Sequence, residues 1–514
     1  MSRLQALLCS AFSALLFAGA FPPFNFWWLA WIWPLPLLFL IWSPGARRGG
    51  RIFFFGWRHG WLTGFLSFTA TLWWVGHVST PGMFALCAYL ALYPALWGGF
   101  AALLKPASPG QGFFASVALG LLWCGLEWTR SILLTGFPWN GAAVPLVEMP
   151  GVRSLAMFTG VTGLSILPLF FASGVAAAWT LRSHRYVRSR ALLMAVTLGT
   201  PAALTLATWQ KTPPPPGDMA VMLVQPNVNM QDKMDERLNL SRYDDLLALT
   251  VDGYEKARTK PELIVWPESA IPFLFHESVH DERLNAILKM GPFSLITGAD
   301  DIAADDMGTD SWDISNCVVM LKNERRNFQI HAKVHLVPFG EYIPLRKELP
   351  FLESMLGNLI PTDFTPGKSL EPLPIEGAKA QVIPLVCFED TIADLARRFV
   401  RDTPQIMVNV TNDNWFAESP ESAIHALNAR WRCVELQRPM IRSANTGVTC
   451  VIDTEGRMTS EMKPFTGGVL HASVPLPVGG ITFYAAHGDI VPMSAGVAGF
   501  LLALTMLFTR RSTR

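Results

Sequence analysis

The sequence predicts a multi-span α-helical membrane domain of about eight helices together with an extracytoplasmic α/β domain. Its composition is 51% hydrophobic and 16% charged, with 19 Trp and 33 Phe, whereas soluble domains average about 25% charged residues. Residues 1–210 form long apolar runs, residues 217–480 have a mixed composition, and residues 489–508 are again apolar. We therefore expect three parts with these bounds. The net charge of +1 does not predict the basic surface that nucleic-acid binding requires.

Eight segments are apolar enough to be candidate membrane spans, each of which needs about 20 residues. They lie at residues 5–20, 24–42, 55–76, 83–104, 113–131, 157–181, 191–209 and 489–508. Pro22 and Pro23 separate the first two segments, which predicts a hairpin. An alternative for residues 1–20 is a signal peptide, because Arg3 precedes an apolar stretch that ends in small residues.

Lys and Arg residues lie in alternate loops, and cytoplasmic loops carry them in excess. They precede the first segment or follow the second, fourth, sixth and eighth: Arg3, Arg47, Arg48, Arg51, Lys105, Arg182, Arg185, Arg188, Arg190, Arg510, Arg511 and Arg514. The loops at 21–25 and 77–82 have none. This parity predicts cytoplasmic termini and a periplasmic α/β domain, preceded by a stiff spacer of four prolines at 213–216.

The α/β domain is predicted from short apolar runs that alternate with helical patterns. The runs predict strands at Met219–Val224, Leu263–Trp266, Phe293–Thr297, Cys317–Leu321, Gln381–Val386 and Ile406–Val410. The helical patterns lie at Tyr243–Ala257, Thr391–Phe399 and Ser422–Arg438.

Polar clusters follow the buried runs of this domain. Glu268 comes after the second run, Cys387 comes after the fifth, and Lys333 lies in the polar segment 331–342, which also contains Glu341. Side chains at strand ends project from a rigid frame into the cleft where α/β folds bind ligands. A helix is predicted after Cys387, and the dipole of such a helix would favour the thiolate over the thiol.

Glutamate, lysine and cysteine together suit acyl transfer. The sulfur of Cys387 would attack a carbonyl carbon, while the carboxylate of Glu268 would remove the thiol proton and later protonate the leaving group. The ammonium of Lys333 would stabilise the oxyanion, beside a backbone N–H near Phe388. Glu341 would orient Lys333 or share the proton transfer.

Each of these residues also has a structural explanation when it is taken alone. A cysteine after a strand is commonly a packing residue, a glutamate there can begin a helix, and a lysine is commonly a surface charge. His331 and His335 have the spacing of a helical metal site, but the residues between and after them lack a helical pattern and no third ligand is evident. We therefore predict neither a metal nor a cofactor.

Glu127 and Arg130 are charged residues near the end of the fifth apolar segment. Charges at this depth of a membrane protein are uncommon and mark either a structural or a functional contact. They predict an ion pair within one helix, and the alternative is a role at a lipid headgroup.

Several longer motifs surround these residues. They are LIVWPESAIP at 263–272, HLVPFGEY at 335–342, NDNWF at 412–416, RCVELQRPMIRSANTGVT at 432–449 and TGFPWN at 135–140. With them the sequence resembles the carbon–nitrogen hydrolase (nitrilase) superfamily. Over nearly the whole chain it is similar to the apolipoprotein N-acyltransferase family within that superfamily. The resemblance implies an αββα sandwich placed between the last two of eight membrane helices.

The resemblance also implies roles for individual residues. Glu268 would be the general base, Lys333 the oxyanion stabiliser and Cys387 the nucleophile. Four further residues would support the site: Glu341, Phe388, Glu389 and Trp415. Some positions depart from the family pattern and put details of substrate binding in doubt: Met234, Phe388, Asn414 and Ala417.

The reaction that the resemblance implies has two steps. A phospholipid acylates Cys387, and the α-amine of the S-diacylglyceryl cysteine of an apolipoprotein then takes the acyl chain from the thioester. Two other classes of function remain open from the residues. One is a membrane-tethered amidase or nitrilase that hydrolyses a soluble substrate. The other is a transporter with a receptor domain, which should show a matched pair of broken helices that the sequence lacks.

The segment 350–366 is unusually apolar for a loop. It carries Phe351, Leu352, Met355, Leu356, Leu359, Ile360 and Phe364. It predicts either a short helix packed on the domain or a mobile lid that lines the path of the acyl chain and excludes water from the thioester.

Overall fold

A computed structural model describes most of the chain. The described residues are 2–43, 51–182, 187–207, 218–278, 281–302, 313–322, 324–346, 348, 362–375, 377, 380–476 and 479–512. The chain divides into two compact units. One comprises Met1–Thr212, Ser419–Glu435 and Thr482–Arg514, and the other comprises Pro213–Glu418 and Leu436–Ile481. The predicted proline spacer and residues 350–361 of the predicted lid lie outside the described residues.

The first unit is helical. Its α-helices are Arg3–Gly19, Leu35–Ile41, Arg51–Leu72, Thr80–Leu90, Leu92–Leu103, Pro109–Ile132, Pro150–Arg153, Ala156–Leu164, Ile166–Thr180, Val187–Ala207, Glu421–Leu436, Phe483–His487 and Ile490–Ser512. Short 3₁₀ turns join them at Trp27–Trp31, Trp73–His77, Leu133–Thr135 and Val144–Glu148. Several apolar helices in one unit agree with the predicted membrane domain.

Each of the eight predicted spans contains helix, but the segments differ in length. In the described part of the chain, four helices are long and apolar enough to cross a membrane, namely Thr80–Leu103, Pro109–Thr135, Val187–Leu206 and Ile490–Thr509. A fifth span exists if Ala156–Leu164 and Ile166–Thr180, which meet at a bend of 52°, count as one. The second predicted span is broken, because Pro34 and Pro36 limit its α-helix to Leu35–Ile41. The count of eight crossings therefore stays a prediction.

Small residues hold the helices of this unit close together. A Cβ built on Gly56 would lie 2.1 Å from the carbonyl oxygen of Gly98, and one on Gly125 would lie 2.3 Å from the Cα of Gly496. Backbones this near leave no room for a side chain. Membrane helices, which gain little from the hydrophobic effect against lipid, associate through such close packing.

Glu127 and Arg130 form the predicted ion pair within one helix. Both side chains are buried, with Oε1 of Glu127 3.9 Å from Nη2 of Arg130. The same carboxylate oxygen accepts a hydrogen bond from the backbone N–H of Ala142 at 2.7 Å, and the guanidinium lies 5.4 Å from the ring centroid of Phe68. The pair therefore fastens its helix to the segment at Ala142.

The second unit is an α/β sandwich with two six-stranded sheets. The strands are β1 Asp218–Gln225, β2 Leu263–Val265, β3 Ser294–Ile302, β4 Ile314–Lys322, β5 Glu324–Ala332, β6 Leu373–Pro374, β7 Gln381–Val386, β8 Gln405–Thr411, β9 Met440–Ala444, β10 Cys450–Ile452, β11 Met458–Glu461 and β12 Gly468–Pro475. The first sheet has the order β12-β1-β2-β3-β4-β5, and the second has the order β11-β10-β9-β8-β7-β6. In the first sheet the neighbouring strands β1, β2 and β3 are parallel, and in the second sheet the neighbouring strands β7, β8 and β9 are parallel.

The alternating side chains of the strands build two cores. On β1, Val221 and Leu223 face a core that both sheets share, whereas Met222 and Val224 face a second core. Helix Asn239–Lys256 and helix Glu282–Leu288 contribute side chains to the second core. The hydroxyl of Ser443 on β9 lies 3.2 Å from the carbonyl oxygens of Val224 and Val265. Two facing sheets with helices outside confirm the predicted nitrilase-like sandwich.

The second unit also has four α-helices that the sequence did not predict as separate elements or predicted longer. They are Met230–Met234, Phe275–Ser278, Glu282–Leu288 and Ala393–Arg398. All six predicted strands are present. The prediction missed the other six strands, which are short or carry polar residues: β5, β6, β9, β10, β11 and β12.

Candidate active site

Glu268 is held at the carboxyl end of β2 by hydrogen bonds to β3. Backbone bonds join Trp266 N to Ile296 O at 2.8 Å, Gly298 N to Pro267 O at 3.0 Å, and Ala270 N to Gly298 O at 3.0 Å. Any Cβ on Gly298 would lie 2.5 Å from the Cα of Glu268. The backbone on both sides of this carboxylate is thus fixed by its neighbour strand.

The side chain of Glu268 is buried and hydrogen-bonded. Asn316 on β4 donates its Nδ2 to Oε1 of Glu268 at 2.8 Å. Burial raises the pKa of Glu268, while the positive charge of Lys333 opposes that rise. A carboxylate with a raised pKa is suited to accept a proton from a weak acid near neutral pH.

Lys333 follows β5 and is 1% exposed. Its Nζ donates to Oε1 of Glu341 at 2.7 Å, and Oε2 of Glu341 accepts from the N–H of Val337 at 2.8 Å. Burial disfavours the ammonium, but nearby negative charges, chiefly that of Glu341, outweigh it and raise the pKa of Lys333. The lysine is therefore a fixed positive charge, and Glu341 orients it.

Cys387 lies directly after β7, at the first residue of the 3₁₀ turn Cys387–Thr391. Its backbone φ of 52° lies in the left-handed region, which is uncommon for a non-glycine residue and frequent at functional sites. Its carbonyl oxygen accepts a hydrogen bond from Nδ2 of Asn409 at 2.9 Å. Glu268 and Lys333 both act electrostatically on the thiol, so the three predicted residues meet at one place.

The protonation state of the cysteine differs from the expectation. Burial and the carboxylate of Glu268 raise the pKa of the Cys387 thiol well above its usual value, so the resting group is a neutral thiol. The expected helix dipole does not reverse this, since a short 3₁₀ turn follows the cysteine and the α-helix begins only at Ala393. A neutral thiol is a weak nucleophile until a base removes its proton.

Glu389 connects the cysteine turn to the lysine loop. Its Oε1 accepts from the N–H groups of Val334 and His335 at 2.7 and 2.8 Å, and its Oε2 accepts from the N–H of Val386 at 2.9 Å. Burial raises the pKa of Glu389 to about 7, opposed by Lys333. The side chain holds two catalytic segments together, which gives it a positioning role.

Phe388 and Trp415 lie at the margin of this group. The ring centroid of Phe388 is 6.0 Å from that of His335. Trp415 belongs to the 3₁₀ turn Asp413–Phe416 that follows β8, and half of its side chain is exposed.

Sequence reasoning missed two buried polar residues beside the site, Asn316 and Arg442. Asn316 joins Glu268 to Glu341, with its Nδ2 at 3.4 Å from Oε1 of Glu341. Arg442 lies between Asp390 and Asp413 and hydrogen-bonds both carboxylates. A polar residue inside an apolar strand run was the available signal, because buried polar side chains need partners.

His331 and His335 do not form the helical metal site considered from their spacing. His331 is the second-last residue of β5, and His335 lies in the loop beyond it. Burial lowers the pKa of His331 to about 4 and also lowers that of His335. Both rings are therefore neutral, and the ring of His331 packs 5.3 Å from that of Phe399.

A partly buried thiol, a buried carboxylate and an ion-paired ammonium follow strands of two facing sheets, and these features indicate the class of carbon–nitrogen hydrolases. The family model Carbon-nitrogen hydrolase matches residues 221–480, and the model Apolipoprotein N-acyltransferase N-terminal domain matches residues 13–174. The chain is thus an enzyme of this class with a second, helical family domain.

Relatives extend the match to both parts of the chain. The Apolipoprotein N-acyltransferase of Geobacter metallireducens is 30% identical over 98% of this chain and 96% of its own. That of Rhizobium rhizogenes is 34% identical over 89% of this chain and 87% of its own. A solved carbon-nitrogen hydrolase from Helicobacter pylori G27 covers 50% of this chain and 89% of its own at 14% identity and a TM-score of 0.37, which is too distant to assign residues. The chain belongs to the apolipoprotein N-acyltransferase family.

Proposed function

We propose that this enzyme transfers an acyl chain from a phospholipid to the α-amine of the S-diacylglyceryl cysteine at the N-terminus of an apolipoprotein. The observation that carries the proposal is the neutral thiol of Cys387 beside Glu268 and the ion-paired Lys333. The family membership and the apolar helices agree with two lipid substrates.

The first half-reaction forms a thioester. As the sulfur of Cys387 attacks the ester carbonyl of the phospholipid, the thiol proton passes to the carboxylate of Glu268. The carbonyl oxygen becomes an oxyanion, which Lys333 stabilises. The C–O bond then breaks, and the proton held by Glu268 passes to the leaving oxygen, so that a lysophospholipid departs.

The second half-reaction returns the enzyme to its starting state. The neutral α-amine of the acceptor attacks the thioester carbonyl, and Glu268 removes a proton from the attacking nitrogen. The C–S bond breaks, and the proton passes from Glu268 to the sulfur of Cys387. The product is an amide, and no water, metal or cofactor enters the balance.

Lys333 serves both half-reactions because its charge is fixed in advance. Its bond to Glu341 at 2.7 Å holds the ammonium in one position, so that little reorganisation is needed when the oxyanion forms. We assign Glu389 to the positioning of the loop and Phe388 and Trp415 to the binding of acyl chains.

The reaction is tested with acyl-labelled phospholipid vesicles and a synthetic peptide that carries an N-terminal S-diacylglyceryl cysteine. We expect lysophospholipid and N-acylated peptide in equal amounts. The matched control is the same peptide with an acetylated α-amine, which should not be acylated. Free fatty acid in place of the acylated peptide, or hydrolysis of soluble amides without any need for lipid, would instead identify an amidase.

We also propose the arrangement of this enzyme in a bacterial inner membrane. Residues 1–210 and 489–508 would form a membrane domain of eight spans, and residues 217–480 would form the periplasmic catalytic domain. The charged loops of alternate segments support cytoplasmic termini. A catalytic domain on that side would meet substrates anchored in the outer leaflet, and two substrates confined to one surface react at a raised effective concentration.

Reporter fusions test this arrangement. A reporter that is active only in the cytoplasm should be active when fused after Arg514, and alkaline phosphatase, which is active only in the periplasm, should be inactive there. The reverse pattern is expected for both reporters within the catalytic domain. A periplasmic C-terminus would overturn the arrangement.

A further inference from the structure

The loop after β1 places a second lysine, Lys233, next to the backbone of Glu268. Lys233 lies in the short helix Met230–Met234, and its Nζ is 3.5 Å from the backbone carbonyl oxygen of Glu268. Among the described residues this is the one side-chain hydrogen bond of Lys233, and no carboxylate among them is within ion-pairing distance of it. In the described part of the chain, its ammonium therefore contacts the backbone of Glu268 and forms no salt bridge.

The carboxylate of Asp300 is also connected to Glu268, through two neighbouring residues. Asp300 on β3 stands opposite Asn316 in the strand register, and Asn316 is the residue that donates to the Glu268 carboxylate. The hydroxyl of Ser269, the residue after Glu268, donates to Oδ1 of Asp300 at 3.4 Å. Asp300 is thus joined to Glu268 through its sequence neighbour and through its hydrogen-bond partner.

We propose that Lys233 and Asp300 are opposed positioning residues that set the protonation state of Glu268. Lys233 favours the carboxylate that accepts the thiol proton, and Asp300 favours the carboxylic acid. This rests on the proposed role of Glu268 as the base. Neither residue touches the reacting atoms; both act through Glu268.

The charges around Glu268 explain why such a pair is needed. Burial raises the pKa of Glu268; Lys333 lowers it, Glu341 raises it and Lys233 lowers it. Cys387 also faces the carboxylate, but as a neutral thiol it adds no charge. Lys233 is thus the second cation, after Lys333, that opposes the effects of burial and of Glu341 on the carboxylate.

The pKa values of Lys233 and Asp300 are in turn affected by the charge of Glu268 and by the charge of one another. Burial lowers the pKa of Lys233, although the negative charges of Glu268 and Asp300 oppose this and Arg242 adds to it. Burial raises the pKa of Asp300 to about 6, and the carboxylate of Glu268 contributes to that rise. Asp300 thus changes charge near neutral pH, where it adjusts the proton affinity of the base.

The sign of each substitution follows from these charges. Acylation of Cys387 requires ionised Glu268, so its rate rises with pH through the pKa of Glu268. Lys233→Met removes a favourable cation and should move this acidic limb to higher pH by about 1 unit, the effect of a nearby charge. Asp300→Asn removes an unfavourable anion and should move the limb to lower pH. The double variant should lie near the native position.

The test measures the single-turnover release of lysophospholipid as a function of pH, with phospholipid vesicles and no acceptor. This isolates the first half-reaction from titration of the acceptor amine. Lys233→Arg keeps the charge and should keep the native limb. Lys256→Met is the matched control, because Lys256 is an exposed lysine paired with Asp252 on helix Asn239–Lys256, and it should leave the profile unchanged.

Opposite shifts in Lys233→Met and Asp300→Asn would establish the pair. If both variants stay folded and lose rate with an unmoved limb, the residues are merely structural and the inference is wrong; shifts in the same direction also overturn it. If Lys233→Met does not fold, Asp300→Asn still decides, since an unmoved limb contradicts the inference. Failure of the proposed function would look different, because the native enzyme itself would then release no lysophospholipid.

Discussion

Replacing Cys387 with alanine is expected to reduce acyl transfer to the background rate, a loss on the order of 10⁶ by analogy with removal of other enzymatic nucleophiles. The reason is that no other group in the proposed mechanism can carry the acyl chain. The fold should persist, since the side chain shrinks by one atom at a position that is only partly buried. The measurement is lysophospholipid release together with N-acylation of the acceptor peptide.

Cys387→Ser is the matched control for shape. Serine retains the size of the side chain and adopts the φ of 52° as cysteine does, but its hydroxyl is a far weaker acid and nucleophile beside the same base. We therefore expect strong loss in this variant as well, with an unchanged melting temperature in both. Turnover near the native rate in folded Cys387→Ser would exclude the thioester mechanism.

Replacing Lys333 with methionine is expected to lower the rate of acyl transfer by about 10²–10³, the usual effect of removing one preorganised oxyanion partner. Methionine keeps the length of the side chain and removes its charge. The same change leaves the buried carboxylate of Glu341 without its cation, which should destabilise the fold by about 3 kcal/mol. Steady-state kinetics and thermal unfolding measure the two effects separately.

A double variant separates stability from catalysis. Adding Glu341→Gln to Lys333→Met removes the unpaired charge, while the glutamine oxygen still accepts from the N–H of Val337. We expect the double variant to recover most of the lost melting temperature and none of the lost rate. Recovery of activity along with stability would show that Lys333 supports the fold and does not stabilise the oxyanion.

The catalytic residues are the part of the site that the sequence predicts best. Glu268 and Cys387 each follow a run of apolar residues, and a buried strand leaves its next polar residue at the sheet edge. Lys333 was singled out from the polar segment 331–342, but the strand before it, β5, was not predicted because that strand is rich in polar residues. The two facing sheets follow from the six apolar runs together with the resemblance to carbon–nitrogen hydrolases.

Other features depend on contacts between distant residues and have no local signal. Asn316 joins Glu268 to Glu341 from the middle of β4, and Lys233 reaches Glu268 from a loop after β1. The raised pKa of Cys387 arises from burial and from the charge of Glu268, and neither is visible in the residues that flank the cysteine. The predicted effect of a helix dipole on the thiol is missing because a 3₁₀ turn follows Cys387 and the α-helix begins only at Ala393.

The predicted membrane domain shows what hydropathy does not predict about helices. Hydropathy located its long apolar helices, but it does not report breaks, and it missed the short helices Pro150–Arg153 and Phe483–His487. Pro34 and Pro36 shorten one helix, and the bend of 52° between Leu164 and Ile166 divides another. Helix length after such breaks depends on the packing of neighbouring helices, which composition alone does not predict.

Mass spectrometry of the purified enzyme, supplied with phospholipid but no acceptor, tests the central claim most directly. We predict a mass increase of one acyl chain in place of one hydrogen, located on the peptide that contains Cys387. Neutral hydroxylamine should remove it, Cys387→Ala should lack it, and the other six cysteines should stay unmodified. An unmodified Cys387 during lysophospholipid release, or an acyl chain on a different residue, would contradict the account.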